Sequence, residues 1–225
     1  MAVTVVPTVR AAPSAIAVSP VATPSTQPSA RDSEERALLR VVSKQAPLGA
    51  SYLPDELVSL PPEAVSPGLG ALQLTRPAAT ALLAMQATAR AGGFDVRVQS
   101  AYRPFEQQQQ IHSALAARLG EAEASRRSAP AGYSEHQLGT TVDLTSAEVG
   151  WGLNARFALS GAGQWVASHA HEFGFALSYP DGGEPVTGYI SEPWHFRYIG
   201  TERSAAWRVS GLTLIEYLGR VEVGR

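Results

Sequence analysis

Two short segments far apart in the chain carry a concentration of metal-binding side chains, and any fold it adopts must bring them together. The first runs Ser134-Glu135-His136-Gln137-Leu138-Gly139-Thr140-Thr141-Val142-Asp143, placing a histidine and an aspartate seven positions apart. The second, Glu192-Pro193-Trp194-His195, follows about fifty residues later. Together they offer two imidazoles, one ligating carboxylate and one spare carboxylate, the set required by a hydrolytic zinc site with an open coordination position. The chain has no cysteine, so a disulfide framework and a thiolate site are both excluded, and any zinc must be held by His, Asp or Glu. His136 reads as a loop residue and Asp143 as a strand residue. They converge only if the chain turns near Gly139, where the missing side chain removes the obstacle to such a turn. Pro193 excludes a helix interior, so this is not a helical HExxH arrangement, and a bend around Pro193 and Trp194 must set Glu192 beside the metal. The His136–Asp143 pair alone is equally compatible with ordinary hydrogen bonding near a strand end.

The rest of the composition narrows the partners by exclusion. Hydrophobic content of 44% and charged content of 17% suit a globular protein, and a net charge of −2 gives no electrostatic reason to expect nucleic acid or an anionic membrane. No apolar run reaches the roughly 18 residues of a transmembrane helix. Residues 1–31 hold Pro7, Pro13, Pro20, Pro24 and Pro28 among Ala, Val, Ser and Thr, which predicts an extended tail, with the folded domain over residues 32–225. A secretory signal needs a basic start and an unbroken apolar stretch of about 7–15 residues; here the only early charge is Arg10 and prolines interrupt every run. A spacer holding the domain off a surface is the alternative reading.

Along the domain, Leu38, Leu39, Val41 and Val42 predict a short amphipathic stretch, and the breaker-rich segment 44–60 an irregular loop. Pro77 in a first turn and the spacing of Ala81, Leu82, Met85 and Ala89 up to Gly92-Gly93 predict a helix. Alternation over 94–100 predicts a strand, residues 105–119 a second helix, and 120–133 a loop delivering His136. A strand over 141–144, a helix over 163–173, a strand over 175–178, a turn over 179–188 and a last strand over 194–199 follow. That last strand sets His195, Arg197 and Ile199 on one face and Trp194, Phe196 and Tyr198 on the other. Thr213-Leu214-Ile215-Glu216 fits a capping box opening a terminal helix. The order predicts an α+β domain, helices packed on a small, mostly antiparallel sheet.

Three motifs, Ser100-Ala101-Tyr102-Arg103, Ser134-x-His136-x-x-Gly139-x-Thr141-x-Asp143 and Glu192-Pro193-Trp194-His195-Phe196-Arg197-Tyr198, resemble those of the VanY-type D-alanyl-D-alanine carboxypeptidases, zinc peptidases of the M15 family. The resemblance spans roughly Lys44 to Leu218. It implies a fold of the Hedgehog/DD-peptidase type with the zinc site at the sheet edge, one zinc ion on His136, Asp143 and His195, Glu192 as catalytic base, and Arg103 steadying the carbonyl oxygen. Ser134 and Gln108 match positions that look like substrate-pocket residues. The implied reaction is hydrolysis of the terminal D-Ala-D-Ala bond of peptidoglycan stem peptides, outside the cytoplasm. A D,D-dipeptidase, an L-alanyl-D-glutamate endopeptidase and a non-catalytic cell-wall-binding module are the rivals. Ser178 departs from the arginine that family members often carry before the Tyr-Pro pair.

Neighbouring residues admit plainer readings. Arg103 has Glu106 as an alternative surface partner, worth about 0–1 kcal/mol. Trp194, Phe196 and Tyr198 read as core, and Tyr189 as either cleft or packing. His169 and His171 point about 200° apart on a helix and read as surface or boundary residues, and His112 as solvated.

Overall fold

The structure, a computed structural model, describes residues 1–3 and 37–223. The tail expected over residues 1–31 lies, apart from residues 1–3, outside the described residues. In chain order the elements are strands β1 (Leu57–Ser59) and β2 (Gln73–Thr75), helix α1 (Arg76–Ala91), strand β3 (Arg97–Ser100), helices α2 (Phe105–Leu119) and α3 (Glu121–Arg127), strand β4 (Thr141–Thr145), helix α4 (Gly161–His169), strand β5 (Phe175–Leu177), helix α5 (Glu184–Thr187), strand β6 (His195–Tyr198), and helices α6 (Thr201–Ser210) and α7 (Leu214–Val223). β1 and β2 form an antiparallel pair, and the other strands form an antiparallel sheet in the order β3-β4-β6-β5. This is the expected α+β arrangement.

The sheet has two differently used faces, because side chains alternate along a strand. Val98, Val142, Leu144, Phe175 and Phe196 join Leu82, Met85 and Ala89 of α1 and Val166 of α4 in the main core. Fully burying each large apolar side chain there stabilises the fold by about 1.5–3 kcal/mol. The opposite face carries Asp143, His195 and Arg197. All five residues of β4 are buried, so this second face is also covered. Its cover is the turn Glu135–Leu138 and the segment around 37–43, anchored by Leu39 against Ile199, Leu214 and Leu218 and by Val42 against Leu48 and Leu138.

Several expectations need correction. The segment 120–133 is not all loop: Gly120, at φ 81, reverses the chain and α3 folds back on α2. That return brings Glu121 to His112, which is buried rather than solvated, with Nδ1 2.9 Å from Ser128 O and Nε2 3.0 Å from Glu121 Oε1. Segment 44–60 contains β1, which gains order only by pairing with β2. The turn over 179–188 contains the short helix α5. α6 was not anticipated; Ser204 is its one buried residue, so it carries no apolar stripe to read. The capping box at Thr213 forms as expected: Glu216 Oε2 accepts from Thr213 N at 3.0 Å, and Thr213 Oγ1 accepts from Glu216 N at 3.4 Å.

Candidate metal centre and active site

His136 is placed by a tight 3₁₀ turn. Ser134 Oγ accepts the His136 N–H at 3.3 Å at its start, and Gly139 ends it at φ 71, in the left-handed region. A Cβ at Gly139 would lie 3.0 Å from Pro54 and 3.1 Å from Leu57, so both backbone conformation and space require glycine. Asp143 and His195 are direct partners across β4 and β6, and theirs is the last registered pair of that ladder. Leu144 N donates to Trp194 O and Tyr198 N to Thr140 O, which makes the alternate pair Asp143–His195 a non-hydrogen-bonded one. Such pairs bring Cα atoms to about 4.5 Å and their side chains closest. Glu192 arrives by the expected bend: its N–H donates to Tyr179 O at 2.9 Å, and His195 N–H donates back to Glu192 O at 3.0 Å.

These placements bring all four residues together. His136 Nε2 is 3.1 Å from Asp143 Oδ2, His195 Nδ1 is 3.1 Å from Asp143 Oδ1, and Glu192 Oε2 is 3.3 Å from His195 Nδ1. One donor atom from each of His136, Asp143 and His195 lies within 4.8 Å of the others. The outward nitrogens are tied off, His136 Nδ1 to Ala101 O at 2.7 Å and His195 Nε2 to Glu135 Oε2 at 3.2 Å. A bonded outer N–H fixes the ring and leaves the inner nitrogen's lone pair to a cation, the usual arrangement of metal-ligating histidines. Asp143 Oδ1 is buried with no donor in hydrogen-bonding geometry, although His195 Nδ1 is near. A buried acceptor so placed fits a cation between the three side chains.

The electrostatics divide the two carboxylates. Burial opposes charge on Asp143, but His136 and His195 outweigh it and hold its carboxyl well below the ordinary range. At Glu192 burial dominates and raises the carboxyl above its ordinary value, with His195 pulling the other way. Two acids with different proton affinities are what a ligand and a base need to be.

Arg103 faces this site and not the surface. Its Nη1 donates to Gln108 Oε1 and its Nη2 to Ser100 Oγ, both at 2.7 Å, while Nη2 lies 3.9 Å from Asp143 Oδ2. Gln108 is buried behind it, its Nε2 donating to Ser128 Oγ and Ala129 O. Trp194, Phe196 and Tyr198 pack on the main core, as expected. Tyr189 is buried and packs at 5.1 Å from Tyr179, whose ring lies 4.7 Å from that of His195. His169 stacks on Trp165 and takes no part in the cluster.

Two residues escaped the sequence reading. Glu135 and Arg197 form a buried ion pair at 2.9 Å, and Ser178 Oγ donates to the other oxygen of Glu135 at 2.6 Å. Arg197 and the hydrogen bond from His195 overcome the effect of burial and hold the Glu135 carboxyl at about 2. The available signal was a charged residue two positions from His195, on the same face of a strand.

Two histidines and an aspartate converging on one face of an antiparallel sheet, with the Glu192 carboxylate at their side, define a metallohydrolase type of site. The family model described as VanY, D-alanyl-D-alanine carboxypeptidase, matches residues 71–201. YodJ of Bacillus subtilis is 33% identical over 186 residues, covering 82% of this chain and 68% of that protein. Among solved structures, the LdcB LD-carboxypeptidase aligns with a TM-score of 0.77 at 33% identity, covering 82% of this chain and 87% of the other. The D,D-pentapeptidase VanY from a VanB-type resistance cassette, in complex with Zn(II), aligns at 0.68 and 31%, covering 81% and 99%. VanYB in complex with D-alanine-D-alanine aligns at 0.67 and 32%, covering 80% and 97%. The chain belongs to the VanY family of peptidases.

Proposed function

We propose that this protein is a zinc-dependent D,D-carboxypeptidase that hydrolyses the terminal D-Ala-D-Ala bond of peptidoglycan stem peptides and releases D-alanine, acting outside the cytoplasm where that polymer lies. The observation that carries the reading is the Glu192 carboxylate beside a three-ligand cluster, free to handle a proton. His136, Asp143 and His195 would hold the metal, and a set of two imidazoles and one carboxylate suits zinc. Bound zinc supplies Lewis acidity, polarising the scissile carbonyl and lowering the pKa of water to about 7. Glu192 takes the proton of the attacking water and returns it to the departing amine, a role that suits a carboxyl raised by burial. Arg103 donates to the carbonyl oxygen as negative charge develops. Gln108 and Ser100 hold that guanidinium in place, so Gln108 serves the substrate through Arg103. Ser134, its Oγ already accepting from His136 N–H, retains its own O–H for the substrate peptide.

A second reading, an L,D-carboxypeptidase, is favoured by the higher TM-score of LdcB. Mass spectrometry of a stem pentapeptide, a stem tetrapeptide and free D-Ala-D-Ala after incubation, each with and without chelator, separates the readings. Loss of one D-alanine from the pentapeptide, abolished by chelator, supports the proposal. Cleavage confined to the tetrapeptide moves the assignment to the L,D reaction, and cleavage confined to the free dipeptide moves it to a dipeptidase. No cleavage of any of them removes the enzymatic assignment.

A further inference from the structure

We infer that the segment Leu38–Val42 is a strap that positions the metal ligand His195, acting through Arg197 and Glu135. The inference rests on the proposed metal site and adds a part of the chain that lies before the interval matched by the family model, residues 71–201. Arg197 is fully buried, and its Nη2 donates to two backbone carbonyls of the strap, Arg40 O at 2.6 Å and Leu38 O at 3.1 Å. Its Nη1 donates to Glu135 Oε1 at 2.9 Å, and Glu135 Oε2 lies 3.2 Å from His195 Nε2. An unbroken hydrogen-bonded chain thus runs from the strap backbone to the ring whose other nitrogen faces Asp143.

The strap is itself seated by apolar contacts. Leu39 is buried with Ala176, Ile199, Leu214 and Leu218, and Val42 with Leu48 and Leu138, the last residue of the turn that carries His136. Arg197 needs those carbonyls, because a buried guanidinium has no water to fall back on and its Nε already lacks a partner. Without the strap, Arg197 turns toward solvent and releases Glu135, and the imidazole of His195 loses the acceptor that fixes its orientation. Loss of such an outer partner typically weakens metal binding by about 10–100-fold. Coupling of this kind is reciprocal, so metal binding must in turn steady the strap.

The test uses the full chain, with zinc alone as the probe, and two readouts: hydrogen–deuterium exchange with and without zinc, and the zinc dissociation constant by chelator competition. In the wild type, zinc should slow exchange in residues 37–43 as well as around 134–143 and 192–198. Arg197→Lys keeps the charge but lacks the fork that reaches Glu135 and two carbonyls at once; it should abolish the protection of 37–43 and weaken zinc binding about tenfold or more. Leu39→Ala loosens the strap from its apolar seat without touching the polar chain, and should weaken zinc binding in the same direction while thermal unfolding of the zinc-free protein confirms that it folds. Exchange in 37–43 that ignores zinc in the wild type, or a folded Leu39→Ala protein with wild-type zinc affinity, overturns the inference. A wild-type protein that binds zinc with strap protection yet cleaves no peptide sinks the proposed activity and leaves the strap standing; one that binds no zinc sinks both.

Discussion

Replacing Arg103 with alanine separates holding the metal from stabilising charge on the substrate. The side chain is 17% exposed, and both ends of its guanidinium are fixed, by Gln108 and by Ser100 at 2.7 Å. Its orientation is therefore settled on folding and costs nothing at the moment of reaction. A single preorganised donor to a developing oxyanion is worth about 2.7–4 kcal/mol, or roughly 10²–10³ in kcat. The same deletion removes a cation 3.9 Å from Asp143 Oδ2, which relieves positive charge beside the proposed metal ligands. Zinc occupancy should therefore not fall. The assay is steady-state release of D-alanine from a stem pentapeptide, with kcat and KM determined separately and zinc content measured on the same sample by mass spectrometry. The expected result is a kcat lowered by that factor at full zinc occupancy, with Arg103→Lys in between, because lysine keeps the charge but not the fork. A fully zinc-loaded alanine variant whose kcat stays within about threefold of wild type would refute the role, since that ratio corresponds to well under 1 kcal/mol of lost transition-state stabilisation.

Glu192→Gln should keep its zinc while kcat falls by about 10²–10⁴, because the base is lost and no ligand is; equal loss of metal and activity would make Glu192 a ligand instead. The base works only when deprotonated, so kcat/KM must rise with pH through its pKa; burial raises that carboxyl, while His195 and a bound cation lower it. The same acidic limb in the residual activity of Glu192→Gln would contradict the assignment. Gly163→Ala should destabilise the fold by at least about 1–3 kcal/mol in chemical denaturation, since its Cβ would fall 1.8 Å from Phe157 O at the capped start of α4. An unchanged denaturation midpoint would show that the start of α4 can shift without cost.

What the sequence reveals about this molecule follows from how local each feature is. α1 is readable because its buried residues repeat at helical spacing behind Pro77, and the capping box at Thr213 because its partners are three residues apart. The proposed metal ligands are readable because their residue types are rare in such company and the motifs resemble a known family. β1 is not, since three residues of strand exist only by virtue of β2, and α3 and α6 are not, since neither shows an apolar stripe. His112 was misplaced because its partners, Glu121 and Ser128 O, come from the start of the helix that the reading lacked and from the residue that caps its end. Gln108, which the resemblance matches to a substrate-pocket position, is buried behind Arg103, a contact five residues along the chain that no motif announces. Glu135 was passed over because its importance depends on Arg197, 62 positions away, and on a strap with which it shares no motif.

The pairing of Asp143 with His195 has a consequence for how the protein meets its metal. Both residues are pinned in neighbouring strands at a close ladder position, so their separation is a property of the backbone, written before any ion arrives. The pair works like a caliper with welded jaws: it can accept or refuse a guest of given size but does little to adapt to one. Selectivity among ions should then reside less in these two than in His136, which alone of the three rides on a turn rather than a strand.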